Sequence, residues 1–319
     1  MKTWIAFCMA TGAALSASLL QAQTWPQRPV KVIAPYSAGG SSDTQARIVS
    51  ERLSAAFGQQ FLVENRVGAT GAIAAEYVAK SPADGYTLFF AATPQVSIVP
   101  LIQKVNYDPL KDFAPVSIFG TNAFVLGVHI SVPANTLKEF IEYVKAHPGQ
   151  LSYSSGGTGS ISHLTAALFT SRAGLTMTHI PYKGVQAATD LVGGQVQMYF
   201  GPAADLIAQS KSGKIRLLAV SGEKRAPQLP DLPAIAELYP GFRSDTWNGL
   251  LAPAATPKAI IDHIAQETVK VAHEAGAIER LNKIGVDAVG STPAEFAAQI
   301  RNEAPMWRDA VNAAGIKQE

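Results

Sequence analysis

The sequence predicts an α/β protein divided into two lobes, each built around a mainly parallel sheet. Short β-branched runs alternate with amphipathic helical patterns from Pro29 onward, which is typical of sheets covered by helices. A single sheet of about ten strands would be unusually broad, so two sheets are favoured. The chain has 319 residues, of which 47% are hydrophobic, and this is enough to fill two cores.

The first elements show this alternation clearly. The run V-K-V-I-A-P at 30–35 has the composition of a short buried strand. Within 43–57, Ile48, Val49 and Leu53 recur at near-helical spacing, and Gly58 follows as a helix-ending residue. Comparable patterns predict further strands at 61–64, 86–91, 116–118, 124–128, 152–155, 177–180, 196–200 and 217–220. They predict further helices at 71–80, 137–147, 162–173, 187–193, 258–274 and 293–314.

The order of these elements indicates where the chain changes lobes. We assign 23–122 together with 247–319 to the first lobe, and 123–246 to the second. A Pro-rich connection follows the strand at 217–220 and precedes the return. The two C-terminal helices are too amphipathic to be linkers, so we expect them to pack on the first lobe.

Composition argues against several classes of function. The formal net charge is +2 and no block of basic residues occurs, so we expect no nucleic-acid partner. The six histidines show no metal-ligand spacing, so we expect no metal and no cofactor. Cys8 is the only cysteine and lies in the N-terminal apolar segment, which leaves the rest of the chain without a thiol nucleophile.

Residues 1–22 have the pattern of a signal peptide. Lys2 provides a minimal charged region, residues 4–20 are apolar, and Ala22 offers a small residue at the cleavage position. The alternative is a membrane anchor, but the apolar run is short for a span and no basic flank follows it. We therefore expect export to the periplasm and cleavage after Ala22.

Two strand-to-helix junctions are rich in glycine and hydroxyl residues. We call residues 36–43 the first glycine loop and residues 154–163 the second glycine loop. Glycine permits close approach of the backbone, and a helix start presents N–H groups and a partial positive charge to an anion. Turn and capping roles are the ordinary alternative for each loop. Because both follow predicted strands, we expect them to face each other across a cleft.

We expect further residues to lie at the same cleft. Thr93 follows the strand at 86–91, and Lys183 is a possible cation that would otherwise be a solvated turn residue. Trp247 lies at the second crossover, where it suits hinge packing as well as ligand contact. Asp43 is interpreted as a helix cap or pocket acceptor, with a general base as the alternative.

A hydrolase is the enzymatic alternative that the sequence leaves open. Ser160 or Ser162 beside His163 suggests a periplasmic hydrolase, but no Gly-x-Ser-x-Gly elbow surrounds them. Neither loop carries the Gly-Lys-Ser/Thr ending of a P-loop, so a nucleoside triphosphate is not expected.

Several short segments resemble the receptors of the tripartite tricarboxylate transporter family, also called Bug or TctC-like solute-binding proteins. The resemblance covers roughly residues 25–317, and its segments are Pro35–Gly40 with Asp43, Val63–Arg66, Asp84–Leu88, Tyr153–Leu164, Pro181–Gly184, Gly193–Val196 and Trp247–Pro253. It implies a type II periplasmic-binding-protein fold, the Venus flytrap, which grips a carboxylate in both glycine loops. Residues 201–204 depart from the family pattern because they lack a frequent acidic residue.

These interpretations give one expected function. The chain is expected to be a non-enzymatic, monomeric receptor that closes on a small mono-, di- or tricarboxylate. The resemblance implies delivery to the large and small integral membrane subunits of a transporter; an ABC importer or a sensor is the alternative partner. The expected ligand-binding residues are Tyr36, Ser37, Ala38, Gly39, Gly40, Ser41, Asp43, Thr93, Gly157, Thr158, Gly159, Ser160, His163, Lys183 and Trp247.

Overall fold

The computed structural model describes residues 25–182 and 186–318, which form an α/β protein with two separate sheets. The predicted two-lobed α/β fold is confirmed. The expected signal peptide and Lys183 lie outside the described residues.

The elements alternate along the chain as the sequence predicts. The strands are β1 Val30–Ala34, β2 Phe61–Asn65, β3 Thr87–Ala92, β4 Phe113–Asn122, β5 Phe124–His129, β6 Ser152–Ser155, β7 Thr178–Pro181, β8 Met198–Pro202, β9 Ile215–Val220, β10 Thr246–Pro253 and β11 Asp287–Ala288. The helices are α1 Ser41–Phe57, α2 Ala72–Ala79, α3 Val99–Ile102, α4 Leu137–Ala146, α5 Ile161–Ala173, α6 Gln186–Val192, α7 Ala203–Ser210, α8 Lys258–Ala272, α9 Ala275–Asn282 and α10 Pro293–Ala313.

The sheet of the first lobe has six strands in the order β11-β4-β10-β3-β1-β2. Strand β1 runs parallel to β2 and β3, whereas β10 is antiparallel to β3 and β4. Strand β10 begins at Thr246, opposite Asn122 at the end of β4. It therefore enters this sheet at the edge where the neighbouring strands end.

The sheet of the second lobe has five strands in the order β7-β6-β8-β5-β9. Strand β6 is parallel to β7 and β8, and β5 is antiparallel to β8 and β9. Strand β5 begins at Phe124, directly after β4, so it also starts at the boundary between the sheets. Most strands of each sheet therefore share one direction, and each sheet also contains an antiparallel strand that has just crossed over, β10 in the first lobe and β5 in the second.

The C-terminal helix α10 contacts both lobes. Phe296 and Ile300 in its first half belong to a core cluster around β3 and β10. Trp307 and Val311 in its second half belong to the core of the second lobe. This helix packs on the first lobe as expected, and it also packs on the second lobe because its apolar stripe continues past Pro305.

Within the described ranges, no helix combines the length and the apolar character that crossing a bilayer requires.

Candidate functional site

A cavity of about 340 Å³ lies where the two sheets meet, and we call it the interlobe cavity. The first lobe contributes Tyr36, Ser41, Ser42, Ala92, Pro94, Ile284 and Gly285. The crossover segments contribute Asn122, Phe124, Thr246 and Asn248. The second lobe contributes Ile161, Pro202, Ala203 and Asp205. Its volume lies near the lower end of the range of small-molecule pockets.

The start of α1 borders the interlobe cavity without a side-chain cap. Gly40 occupies the N-cap position in an extended conformation, and no side-chain cap hydrogen bond is made at this helix start. Ser41 and Ser42, the first two helical residues, both line the cavity. The first N–H groups of a helix have no intrahelical partner, so this end offers hydrogen-bond donors and a partial positive charge to an anion.

Asp43 shapes the first glycine loop from beneath rather than facing the cavity. Its side chain is 2% exposed, and Oδ2 accepts a hydrogen bond from the Gly39 N–H at 2.9 Å. Arg47 donates to both carboxylate oxygens at 2.9 and 3.0 Å, and Asn65 donates to Oδ1 at 2.8 Å. Burial alone raises the pKa of Asp43, but these hydrogen bonds outweigh it and hold the pKa below its ordinary value. The carboxylate is therefore an ionised clamp.

Gln95 holds Tyr36 at the same edge of the cavity. Its buried amide donates hydrogen bonds to the Tyr36 hydroxyl and the Thr70 carbonyl, each at 2.9 Å. Its Oε1 accepts from the Ala92 N–H at 3.0 Å. One side chain thus ties the first glycine loop to the end of β3.

The second glycine loop satisfies most of its own donors. Ser160 caps α5 by accepting from the His163 N–H, and Ser162 Oγ accepts from the Gly156 N–H at 2.9 Å. The Gly159 N–H donates to His163 Nδ1 at 3.1 Å. Gly157, Thr158, Gly159 and Ser160 do not line the interlobe cavity, whereas the next residue, Ile161, does. Both helix starts therefore border one cavity, but only that of α1 is uncapped.

Two stacked imidazoles lie beneath the second glycine loop. The rings of His163 and His179 have centroids 3.7 Å apart and are inclined by 7°. Ser155 Oγ lies 2.6 Å from His179 Nε2, and Tyr153 stacks on the outer face of this ring at 5.0 Å. Burial, reinforced by the neighbouring His179, lowers the pKa of His163 to about 4. The pair is therefore neutral near pH 7, and His163 Nδ1 is free to accept.

The geometry does not assemble the serine–histidine pair that a hydrolase needs. Among the described contacts, neither Ser160 nor Ser162 hydrogen-bonds to the ring of His163, which instead accepts from Gly159. Ser155 does approach His179, but its side chain is fully buried and cannot reach a substrate. Within the same ranges, no cluster of three or more His, Cys, Asp or Glu could hold a metal ion.

The alternation of β10 decides which of its residues face the cavity. Thr246 and Asn248 line the cavity, whereas Trp247 between them points into the core of the first lobe. Its indole Nε1 donates to Glu303 at 2.9 Å, and its N–H donates to Thr93 Oγ1 at 2.9 Å. Trp247 and Thr93 are both buried away from the cavity, so in this structure they support it rather than line it.

Asn248 lines the cavity and carries a buried acceptor without a partner among the described residues. The residue is 5% exposed, and its Oδ1 has no hydrogen-bond partner within the described part of the chain. Its Nδ2 donates to Asn122 Oδ1 at 3.2 Å. An unsatisfied buried polar atom costs about 1–3 kcal/mol, which makes this oxygen a natural contact for a ligand.

The sequence-based site was thus partly assembled at the cavity. Tyr36 and Ser41 line it, and Gly40 leaves the adjoining helix start uncapped. Ser37, Ala38 and Gly39 are exposed within the first glycine loop but are not among the lining residues. The lining residues outside the expected ligand-binding set are Ser42, Ala92, Pro94, Asn122, Phe124, Ile161, Pro202, Ala203, Asp205, Thr246, Asn248, Ile284 and Gly285. Most of them lie next to a crossover or a strand end, so their position in the predicted topology is the feature of the sequence that indicates them.

The sequence matches the family described as tripartite tricarboxylate transporter family receptor over residues 45–316. The UPF0065 protein in the tcbD-tcbE intergenic region of Pseudomonas sp. strain P51 is 33% identical over 307 residues, covering 95% of this chain and 90% of that protein. Protein BugT of Bordetella pertussis is 33% identical over 305 residues, covering 94% of each.

Solved structures of similar proteins share the fold. An R. palustris protein with adipate superposes with a TM-score of 0.78 at 33% identity, covering 92% of this chain and all 100% of that one. MatC from Rhodopseudomonas palustris, with bound malate, gives 0.73 at 29% identity, covering 90% and 100%. A TctC solute-binding protein from Polaromonas, without ligand, gives 0.81 at 27% identity, covering 91% and 99%. This chain therefore belongs to the tripartite tricarboxylate transporter receptor family of periplasmic solute-binding proteins.

Proposed function

We propose that this chain captures a small carboxylate between its lobes and delivers it to the integral membrane subunits of a tripartite tricarboxylate-type transporter. The observation that carries the proposal is the uncapped start of α1 at a cavity that both lobes line. Similar proteins whose structures are described with adipate and with malate support a carboxylate as the ligand.

The carboxylate would bind at the α1 end of the cavity. There the backbone N–H groups of the first turn and the hydroxyls of Ser41 and Ser42 can donate to its oxygens. A hydrogen bond to a charged group contributes about 1.5–3 kcal/mol, so three or four of them support micromolar binding near −8 kcal/mol.

Capture by domain closure follows from the way the cavity is divided. Lobe-one residues such as Ser41 and lobe-two residues such as Ile161 and Asp205 face the same space. A ligand that contacts both groups stabilises the arrangement in which the lobes are close. Closure also gives a membrane partner a shape by which the loaded receptor can be recognised.

Isothermal titration of the exported chain against a panel of mono-, di- and tricarboxylates tests capture. Ser41→Asp places a carboxylate at the first position of α1, where it competes with the ligand for the same donors. We expect this variant to lower affinity by at least about tenfold, the equivalent of one charge-assisted hydrogen bond. Ala275→Asp is the matched control, because Ala275 is the exposed first residue of α9 and does not line the cavity.

Small-angle X-ray scattering with and without the bound compound tests closure, since the closed form has the smaller radius of gyration. Equal affinity of Ser41→Asp and the unmodified chain would show that the α1 end is not the carboxylate site. Failure of every carboxylate to bind would refute the proposal itself. Delivery is tested by uptake in cells that carry the membrane subunits with and without this receptor.

A further inference from the structure

The interlobe cavity is chemically polarised. Hydrogen-bond donors lie at the uncapped α1 start, beside Ser41 and Ser42. The acceptors Asn248 and Asp205 line the same cavity at the crossover and on the second lobe. Asp205 lies in the first turn of α7, so the uncapped start of that helix already has a negative charge beside it. Among the lining residues that fall within 25–182 and 186–318 there is no lysine, arginine or histidine, and Asp205 is the one charged side chain of that described set.

The neighbouring amide fixes the orientation of the Asn248 side chain. Asn122 donates its own Nδ2 to the Gly285 carbonyl at 3.3 Å, so its Oδ1 is turned toward Asn248. Asn248 must then present its Nδ2 to Asn122, which leaves the buried Oδ1 as an acceptor without a partner. This oxygen favours a ligand group that donates a hydrogen bond.

Asp205 adds a negative charge to the same part of the cavity. It lies in the first turn of α7, is exposed, and makes no hydrogen bond or ion pair with another residue of the described ranges. A carboxylate here attracts an ammonium group and repels a second carboxylate on the ligand.

We propose that the ligand is a monocarboxylate with an ammonium group at its far end, selected by Asp205 and Asn248. This inference rests on the proposed function, because it takes the α1 start as the carboxylate site. It gives the ligand a direction, with its negative end on the first lobe and its positive end toward the crossover and the second lobe. It also sets this chain apart from the similar proteins whose structures are described with the dicarboxylates adipate and malate.

Straight-chain acids of equal length that differ only in the group at the far end test the inference. Butyrate, 4-aminobutyrate, 4-hydroxybutyrate and succinate, together with their five- and six-carbon analogues, are titrated into the exported chain by calorimetry. We expect the amino acid of the best-fitting length to bind at least about tenfold more tightly than the dicarboxylate of that length, as one ion pair gives.

Two variants test whether Asp205 and Asn248 select the ammonium group of the ligand. Asp205→Asn should lower the ratio of the affinity for the amino acid to the affinity for the unsubstituted acid by at least about tenfold. Asn248→Leu should weaken the amino acid in the same way by removing the acceptor. Asp231→Asn, an exposed acid of the second lobe that does not line the cavity, is the matched control and should change neither value.

The outcomes separate the two proposals. If the dicarboxylates bind as tightly as the amino acids, and Asp205→Asn changes nothing, the ammonium inference is overturned while carboxylate capture stands. If binding depends on the ammonium group but not on Asp205 or Asn248, these residues do not select it. If no compound of the series binds, both proposals fail.

Discussion

The interaction between His163 and the second glycine loop predicts a specific dependence of stability on pH. His163 is 3% exposed and accepts a hydrogen bond from the Gly159 N–H through Nδ1, which only an imidazole unprotonated at that nitrogen can do. Burial and the adjacent His179 lower its pKa from 6.5 to about 4. Because the folded-state pKa lies below the unfolded value, the unfolded chain binds more protons between these limits. Stability is therefore fully present above pH 6.5 and is lost as the pH falls toward 4.

The magnitude follows from the same two values. Between pH 7 and pH 5 the protonation of His163 in the unfolded chain costs about 2 kcal/mol of folding free energy. In His163→Asn the side-chain oxygen replaces Nδ1 as the acceptor for Gly159, and the titrating group is gone. We expect the variant to fold, and to lose about 2 kcal/mol less than the unmodified chain over this pH interval.

Urea unfolding followed by circular dichroism at half-unit steps from pH 5 to pH 7.5 measures this difference. The control is His273→Asn, because His273 is exposed and lies far along the chain on α8's C-terminal side. His163→Phe keeps the ring stack but removes the acceptor, so it should be less stable than His163→Asn by about 1–3 kcal/mol at pH 7. Parallel pH profiles for His163→Asn and the unmodified chain would refute this account of the imidazole pair.

Three further predictions concern the supports of the interlobe cavity. Burial raises the pKa of Glu303 to about 7, above its unfolded value, so this residue's contribution to stability falls as pH rises from 5 to 8. Glu303→Gln does not titrate, so its free energy of unfolding in urea should fall by about 2 kcal/mol less than that of the unmodified chain over this interval. Asp43→Ala leaves the Gly39 N–H and Arg47 without their acceptor and should cost about 1–3 kcal/mol in the same assay, together with weaker carboxylate binding by calorimetry. Gly249→Ala would place Cβ 2.6 Å from the Ser117 carbonyl oxygen, so it should lower stability by about 1–3 kcal/mol through separation of β4 and β10; an unchanged melting temperature would contradict this.

The fold was predictable because β-branched strand runs and amphipathic helical patterns alternate clearly along the chain. Strand β1 and helix α1 follow directly from β-branched composition and helical spacing. Strand β10 was missed, because its run T-W-N-G-L-L-A-P contains Gly249 and ends in Pro253, neither of which favours a strand. It is nevertheless buried along its whole length between two neighbours, so tertiary pairing determines its conformation.

The mixed pairing of the sheets has the same origin. Local patterns identify strands but do not state their direction, and alternation with helices favours parallel pairing. A strand that arrives from the other lobe begins where its neighbours end, so β5 and β10 run against them. This depends on which sheet each strand joins, and that is settled by contacts between residues distant in the sequence.

The site was predicted less completely than the fold, for a reason that Trp247 and Asn248 show. The sequence marks both residues at the second crossover, and consecutive strand residues point to opposite faces. One of them must face the cavity and the other the core, but their order in the chain does not say which. The Trp247 indole donates a hydrogen bond to the buried Glu303 on the core side of the sheet, so Trp247 faces the core and Asn248 faces the cavity.

The two glycine loops differ in function although they look alike in sequence. At α5 the N-cap is Ser160, whose hydroxyl accepts from the helix, and His163 takes a further loop donor. At α1 the N-cap is Gly40, which has no side chain to offer, and the clamp from Asp43 uses Gly39 outside the helix. The donors of the first helix turn are therefore left for a ligand at α1 and consumed at α5. The start of α7 is also uncapped and borders the cavity, but it already carries a carboxylate, Asp205, in its first turn, and this asymmetry is why we expect one carboxylate on the ligand rather than two.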